Sequence, residues 1–174
     1  LFVKDLDSKV LSLIKPVYDA LASVTPNIKI VVTTYFEHSN EATKVLVNTP
    51  IWAIGLDFIH GNKNLEILEF IKNSNKVLIA GVIDGRNIWK SNFQSKIQLL
   101  NKVSKIINKE NIIVSTSCSL LHVPFTLKYE DNLDKEIKSW LAFANEKLQE
   151  LSLVSKQFFD FKLNLDEISV IRKN

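Results

Sequence analysis

Methionine is absent from this 174-residue chain, and cysteine occurs once. A chain that opens on Leu1 without any methionine is expected to be a processed or truncated product, a single partial domain over 1–174. One cysteine excludes an internal disulfide. Four glycines and four prolines leave no low-complexity tract and no linker. No apolar run reaches the roughly 18 residues of a membrane-spanning helix, and no signal-peptide pattern is present. The net charge of +3 comes from scattered lysines, which gives no electrostatic basis for nucleic-acid binding. Neither membrane nor nucleic acid is therefore expected as a partner, and the cytoplasm is the expected compartment.

What is present is a globular composition, 46% hydrophobic and 24% charged, long enough for one real core. Four β-rich runs stand out: 28–36 (IKIVVTTYF), 51–59 (IWAIGLDFI), 76–83 (KVLIAGVI) and 111–116 (NIIVST). They are nearly continuous in apolar residues, the pattern of strands buried on both faces in a parallel sheet. Helical patterns lie between them, at 40–47, 65–71 and 93–107. Ser91 and Gln94 have the spacing of a capping box for the third of these. The longest predicted helix runs over 133–159, with Ile137, Trp140, Leu141, Ala144, Leu148, Leu151 and Phe158 on its inner face. Residues 7–23 also read as helical, with Pro16 expected to kink or split the helix. Residues 163–174 read as a short helix or a frayed end.

The order is α-βα-βα-βα-βα. Right-handed crossovers then give a parallel sheet with helices outside. A small open α/β sheet and part of a (βα)8 barrel both fit; a complete barrel needs about 250 residues.

Polar residues gather where the strands end, the edge that carries sites in parallel α/β folds. The candidates are Asp57, His60, Asp84, Arg86, Asn87, Ser117 and His122, with Cys118 among them in STSCSLLHVPF (115–125). Cys118 with His122 and His60 or Asp57 is a candidate zinc set, yet a lone cysteine with scattered histidines fits a packed loop better. Cys118 with a histidine base is also the pattern of a nucleophilic pair. Asp84 and Arg86 suit an ion pair or a hold on loop carbonyls, and Arg86 alternatively a clamp for a substrate carboxylate or phosphate. Asp57 inside an apolar run needs a partner, either Arg86 or a backbone donor. The three tryptophans, Trp52, Trp89 and Trp140, read as core or rim packing.

Taken together, TTYFE (33–37), GLDFIH (55–60), GVIDGRNIWK (81–90), SCSLLH (117–122) and KSWLAFA (138–144) resemble the amino-terminal domain of cobalamin-independent methionine synthase, over nearly the whole chain. The resemblance implies that the chain forms about half, strands five to eight, of a TIM (β/α)8 barrel. It also implies a parent methyltransferase that moves a methyl group from 5-methyltetrahydrofolate polyglutamate to homocysteine. Zinc and homocysteine then belong to the other, carboxyl-terminal domain. This chain is expected to hold no cofactor, no catalytic residue and no metal, with Cys118 a relic position. Its expected partner is the remainder of the synthase chain, and the isolated fragment is expected to dimerise through its open edges. Two other functions stand beside this one: a non-enzymatic half-barrel assembly module, and an independent small enzyme using Asp57, Asp84, Arg86 and His122.

Overall fold

The computed structural model describes residues 7–172. Four strands, β1 (Val31–Thr33), β2 (Ala53–Asp57), β3 (Val77–Ile83) and β4 (Ile112–Thr116), form one sheet in the order β1-β2-β3-β4. Every neighbouring pair is parallel, with Val32 opposite Ile54, Ile54 opposite Leu78 and Leu78 opposite Ile112. The helices are α1 (Ser8–Val24), α2 (Asn40–Leu46), α3 (Leu68–Lys72), α4 (Phe93–Ser104), α5 (Lys135–Trp140), α6 (Ala144–Phe158) and α7 (Leu165–Arg172). Among the described residues, no helix is long and apolar enough to cross a membrane.

The core sits on one face of the sheet. Val32, Ile54, Leu56, Leu78, Ala80, Ile112 and Val114 point to that face and are buried. They meet Leu46 of α2, Leu68 and Ile71 of α3, Leu100 and Val103 of α4, and Val154 and Phe158 of α6. The alternate residues, Val31, Thr33, Gly55, Ile79, Ile113 and Ser115, point the other way. None of them joins the core cluster, and Val31 and Ile113 are 43% and 40% exposed. A depression of about 280 Å³ lined by Thr33, Gly55, Ile79 and Ser115 opens over this face. Among the described residues, the sheet is thus covered on one side only.

Several predicted elements differ from the observed ones, each for a local reason. The first strand is shorter than 28–36. Its last ladder bond is Thr34 N–H to Gly55 O, an acceptor the Thr34 hydroxyl also reaches, and Phe36 and Glu37 then take φ of 66° and 88°. The segment before α3 begins as a 3-10 turn over Asn62–Ile67. Helix α4 is capped by Asn92, whose side chain accepts from Ser95 N–H at 2.9 Å, and not by Ser91. Ser91 instead donates its N–H to Glu150. Helix α1 runs unbroken through Pro16, and its cap is Asp7, which accepts from Val10 N–H. The tail forms α7; residues 173–174 lie outside the described residues.

The largest difference is the break in the predicted 133–159 helix. Leu141 is extended and bridges Trp89, Lys90 N–H donates to Trp140 O, and Ala142 N–H donates to Ile88 O. A short antiparallel pairing therefore interrupts the helix. The break also rephases α6. Lys147, Glu150, Leu153, Val154 and Phe158 face inward, whereas Leu148 is 51% exposed.

This orientation is testable by urea denaturation. Leu78→Ala removes a fully buried core side chain and is expected to cost about 2–5 kcal/mol. Leu148→Ala is expected to stay within about 0.5 kcal/mol. Comparable losses at the two sites would contradict the placement of α6.

Candidate functional site

The C-terminal ends of the strands and the loops after them hold every residue picked out from the sequence. Asp57 closes β2 and is fully buried. Its Oδ1 accepts from the backbone N–H of Ile59 at 2.8 Å and of His60 at 3.0 Å, so its partner is a turn of its own loop and not Arg86. Its Oδ2 is buried without a partner. The loop returns to Asn64, which is also fully buried. Asn64 Nδ2 donates to Asp57 O at 2.8 Å and to Glu37 O at 3.2 Å, and its Oδ1 accepts from Ser39 N–H at 3.0 Å. One amide thereby ties the β1 loop to the β2 loop. Gly61 is needed at this knot, because a Cβ there would lie 2.4 Å from Glu37 O.

Asp84, after β3, is the second anchor. Its Oδ1 accepts from Arg86 N–H at 2.8 Å and lies 3.4 Å from His60 Nε2; its Oδ2 accepts from Asn87 Nδ2 at 2.6 Å. The expected Asp84–Arg86 ion pair is not formed. The Arg86 guanidinium lies over the Phe36 ring, with Cζ 4.7 Å from its centroid, a cation–π arrangement. His122 meets the edge of that same ring at 5.4 Å. Asn87 passes the network inward. Its Oδ1 accepts from Trp89 N–H at 3.1 Å and from Lys147 Nζ at 3.4 Å. Lys147 is fully buried and also donates to Trp89 O at 3.0 Å.

Ser117 and Cys118 follow β4. Ser117 Oγ accepts from Gly85 N–H at 3.2 Å, joining the β3 and β4 loops. Cys118 is buried, with Sγ directed at Ser119 O at 3.6 Å. A Cβ on Gly85 would stand 2.9 Å from Cys118 Sγ and from Cys118 O, so the thiol is walled in by backbone. Burial pushes the Cys118 thiol up from its ordinary value, outweighing a hydrogen bond from Ser117 that acts the other way. A reactive cysteine needs the opposite setting.

Zinc needs about four ligands at one point. Among the described residues, no three His, Cys, Asp or Glu side chains converge that way. His60 is committed toward Asp84 and His122 to an aromatic edge. The Cys118, His122, His60 and Asp57 set thus does not fit the metal.

The structure therefore brings Asp57, His60, Asp84, Arg86 and Asn87 into one network, attaches Ser117 through Gly85, and leaves His122 on the Phe36 ring. Asn64, Phe36, Lys147 and Glu150 were not foreseen as members. For Lys147 and Glu150 a signal existed: they share the helical phase of Val154 and Phe158, once the helix is started at Ala144.

Two measurements check this geometry. Alkylation of Cys118 by iodoacetamide at pH 8 is expected to be at least about a hundredfold slower in the native protein than in urea, given burial and the raised thiol. Native reactivity equal to that of the unfolded chain would contradict the enclosure. Burial also pushes the Glu150 carboxyl above its ordinary value of 4.5, although Ser91 and Lys147 oppose this. A carboxyl raised in the folded state is neutral in both states below 4.5 and resists ionisation above it. Wild type is therefore expected to lose stability relative to Glu150→Gln as pH rises from 4.5 toward neutrality. A pH-independent difference between the two would contradict it.

The family described as cobalamin-independent synthase, N-terminal domain, matches residues 1–108. The 5-methyltetrahydropteroyltriglutamate–homocysteine methyltransferase of Desulforamulus reducens is 48% identical over 172 residues, covering 99% of this chain and 22% of that protein. The protein of the same name from Kali turgidum is 40% identical over 156 residues, covering 88% of this chain and 21% of its own length. A solved B12-independent methionine synthase from Shewanella gives a TM-score of 0.49 at 16% identity, over 78% of this chain and 41% of that one. The chain thus spans about a fifth of the curated relatives it matches, 22% and 21% in these two. With more than half of its residues matched by that family, the chain belongs to the cobalamin-independent synthase N-terminal domain family.

Proposed function

We propose that this chain supplies strands five to eight of the amino-terminal (β/α)8 barrel of a cobalamin-independent methionine synthase. In this reading the whole cytoplasmic enzyme transfers a methyl group from 5-methyltetrahydrofolate polyglutamate to homocysteine. This part contributes scaffold and interface and is catalytically silent alone. Zinc and homocysteine are held by the carboxyl-terminal domain, and the chain's partner is the remainder of the synthase.

The observation that carries the reading is the one-sided sheet. Parallel sheets occur almost only with both faces covered, by helices on each side or by closure into a barrel whose own side chains fill the inside. Here the inner-facing Val31, Thr33, Ile79, Ile113 and Ser115 are left outside the core cluster. The outer strands β1 and β4 each have one ladder partner among the described residues. Four further βα units would pair with both edges and fill that face.

The polar rim supports a structural contribution over an independent active site. The carboxylate of Asp57 accepts from two backbone N–H groups of its own loop, and that of Asp84 accepts from the Arg86 N–H and the Asn87 amide of its own turn. Carboxylates so placed hold loop shape.

The test is complementation. The 174-residue chain mixed with a chain carrying strands one to four of the same barrel is expected to form a stable complex by size-exclusion chromatography with light scattering. Alone, it is expected to self-associate through its open edges and to show no methyl transfer. A cooperative monomer that ignores the other half, or turnover by the chain alone, would remove this reading.

A further inference from the structure

Arg86 stands at the rim with its charge unspent. Its backbone N–H serves Asp84, but its guanidinium makes no hydrogen bond or ion pair among the described residues. The group that holds it is the Phe36 ring, 4.7 Å from Cζ to centroid. The N–H donors of a guanidinium lie in its own plane, so a ring stacked on it uses none of them. Holding Phe36 there has a cost, since Phe36 and Glu37 are successive non-glycine residues with φ of 66° and 88°. Backbone strain of this kind concentrates at functional sites.

Two more donors surround the same ring. The Tyr35 ring meets its edge at 5.2 Å, and the His122 ring at 5.4 Å. Tyr35, Arg86 and His122 come from the loops after β1, β3 and β4, and all three are exposed. Ser119, also exposed, lines with Tyr35 the depression of about 280 Å³. Its Oγ accepts from Leu121 N–H at 3.3 Å, which leaves its hydroxyl proton to donate. The neighbouring acids do not compete for the guanidinium. Asp57 is buried, Asp84 is turned to donors of its own turn, and exposed Glu37 forms no ion pair with Arg86.

The number of donors selects the anion. A planar carboxylate is matched by one guanidinium fork. A phosphate monoester has three terminal oxygens pointing in different directions, and so engages donors placed around a ring. We infer that the rim binds a small hydroxylated phosphate monoester, its phosphate on Arg86, His122 and Tyr35 and its organic part beside Ser119. This assignment does not depend on the barrel reading. Each residue named lies past the last residue of its strand, at the mouth of the sheet whether or not a ring closes.

The test is isothermal titration calorimetry on the intact protein in phosphate-free buffer, with glycerol 3-phosphate, inorganic phosphate and acetate as probes. Glycerol 3-phosphate is expected to bind most tightly, inorganic phosphate less tightly, and acetate at least about tenfold more weakly than the ester, the size of one charge-assisted hydrogen bond. Arg86→Gln is expected to weaken the ester by at least about the same factor. Arg86→Lys is expected to fall between Arg86→Gln and wild type, because it keeps the charge and loses the fork. Phe36→Leu, which removes the platform and no donor, is expected to weaken the ester as well. Should that variant fail to fold, the two variants of exposed Arg86 decide the matter. No binding at millimolar glycerol 3-phosphate, acetate bound as tightly as the ester, or full affinity in Arg86→Gln would overturn the inference. Inorganic phosphate bound as tightly as the ester would overturn the assignment of an organic part.

Discussion

Because each strand of this sheet runs parallel to the next, a crossover must carry the chain back before every new strand, and right-handedness puts all of those crossovers on one side. That constraint shapes the molecule. Strands laid down in the order β1-β2-β3-β4 turn always the same way, so their helices accumulate on one face and never on the other. A doubly wound sheet escapes this by reversing direction partway, which places helices on both faces. Here the strand order never reverses. In the proposed reading the bare face is covered by closure of the ring. This is why an unbroken strand order supports the proposed barrel more strongly than the number of strands does.

The same constraint gathers the loops that follow the strands at one end, and there the polar groups do structural duty. Each loop is joined to its neighbour by a side chain that reaches across. Asn64 links the first to the second, His60 lies against Asp84 of the third, and Ser117 joins the third to the fourth. A ladder can hold neighbouring strands in register but says nothing about the loops beyond it. These cross-links extend the order of the sheet past its last hydrogen bond. The left-handed Phe36 and Glu37 belong to the same device, since Glu37 O is one of the acceptors Asn64 must reach. Backbone strain at a loop is tolerable where surrounding bonds fix it.

The strands could be read from the sequence because a buried parallel strand is a short, nearly continuous apolar run, and four such runs had little else to be. Their edges were less legible. Ile28 and Tyr35 lie in the same apolar run as the strand between them, but the ladder ends at Thr34 N–H and the chain turns at the left-handed Phe36 and Glu37, a turn held by Asn64 of the next loop and invisible locally. The broken helix failed for a related reason. Helical periodicity continues through Leu141-Ala142-Phe143, where the backbone pairs with Ile88-Trp89-Lys90, some fifty residues earlier in the sequence. Nothing in the local composition marks that pairing, and one lost turn moved Leu148 from the inside to the outside.

The rim was legible as a location, since the fold predicts where loops and polar side chains meet, but not as a set of roles. Asp84 and Arg86 look like an ion pair when read two letters apart. In space the carboxylate has nearer and better-aligned donors in the backbone of its own turn, and the guanidinium is drawn to the face of Phe36. A charged pair close in sequence competes with every amide in the same turn, and a short loop supplies amides at lower entropic cost than a long side chain does. The same competition separates Lys147 from Glu150: the ammonium is drawn to Trp89 O, which the broken helix brings within reach, and one carboxylate oxygen is left unmatched. The pairing that defeats the helical reading therefore also leaves one buried Glu150 oxygen without a partner.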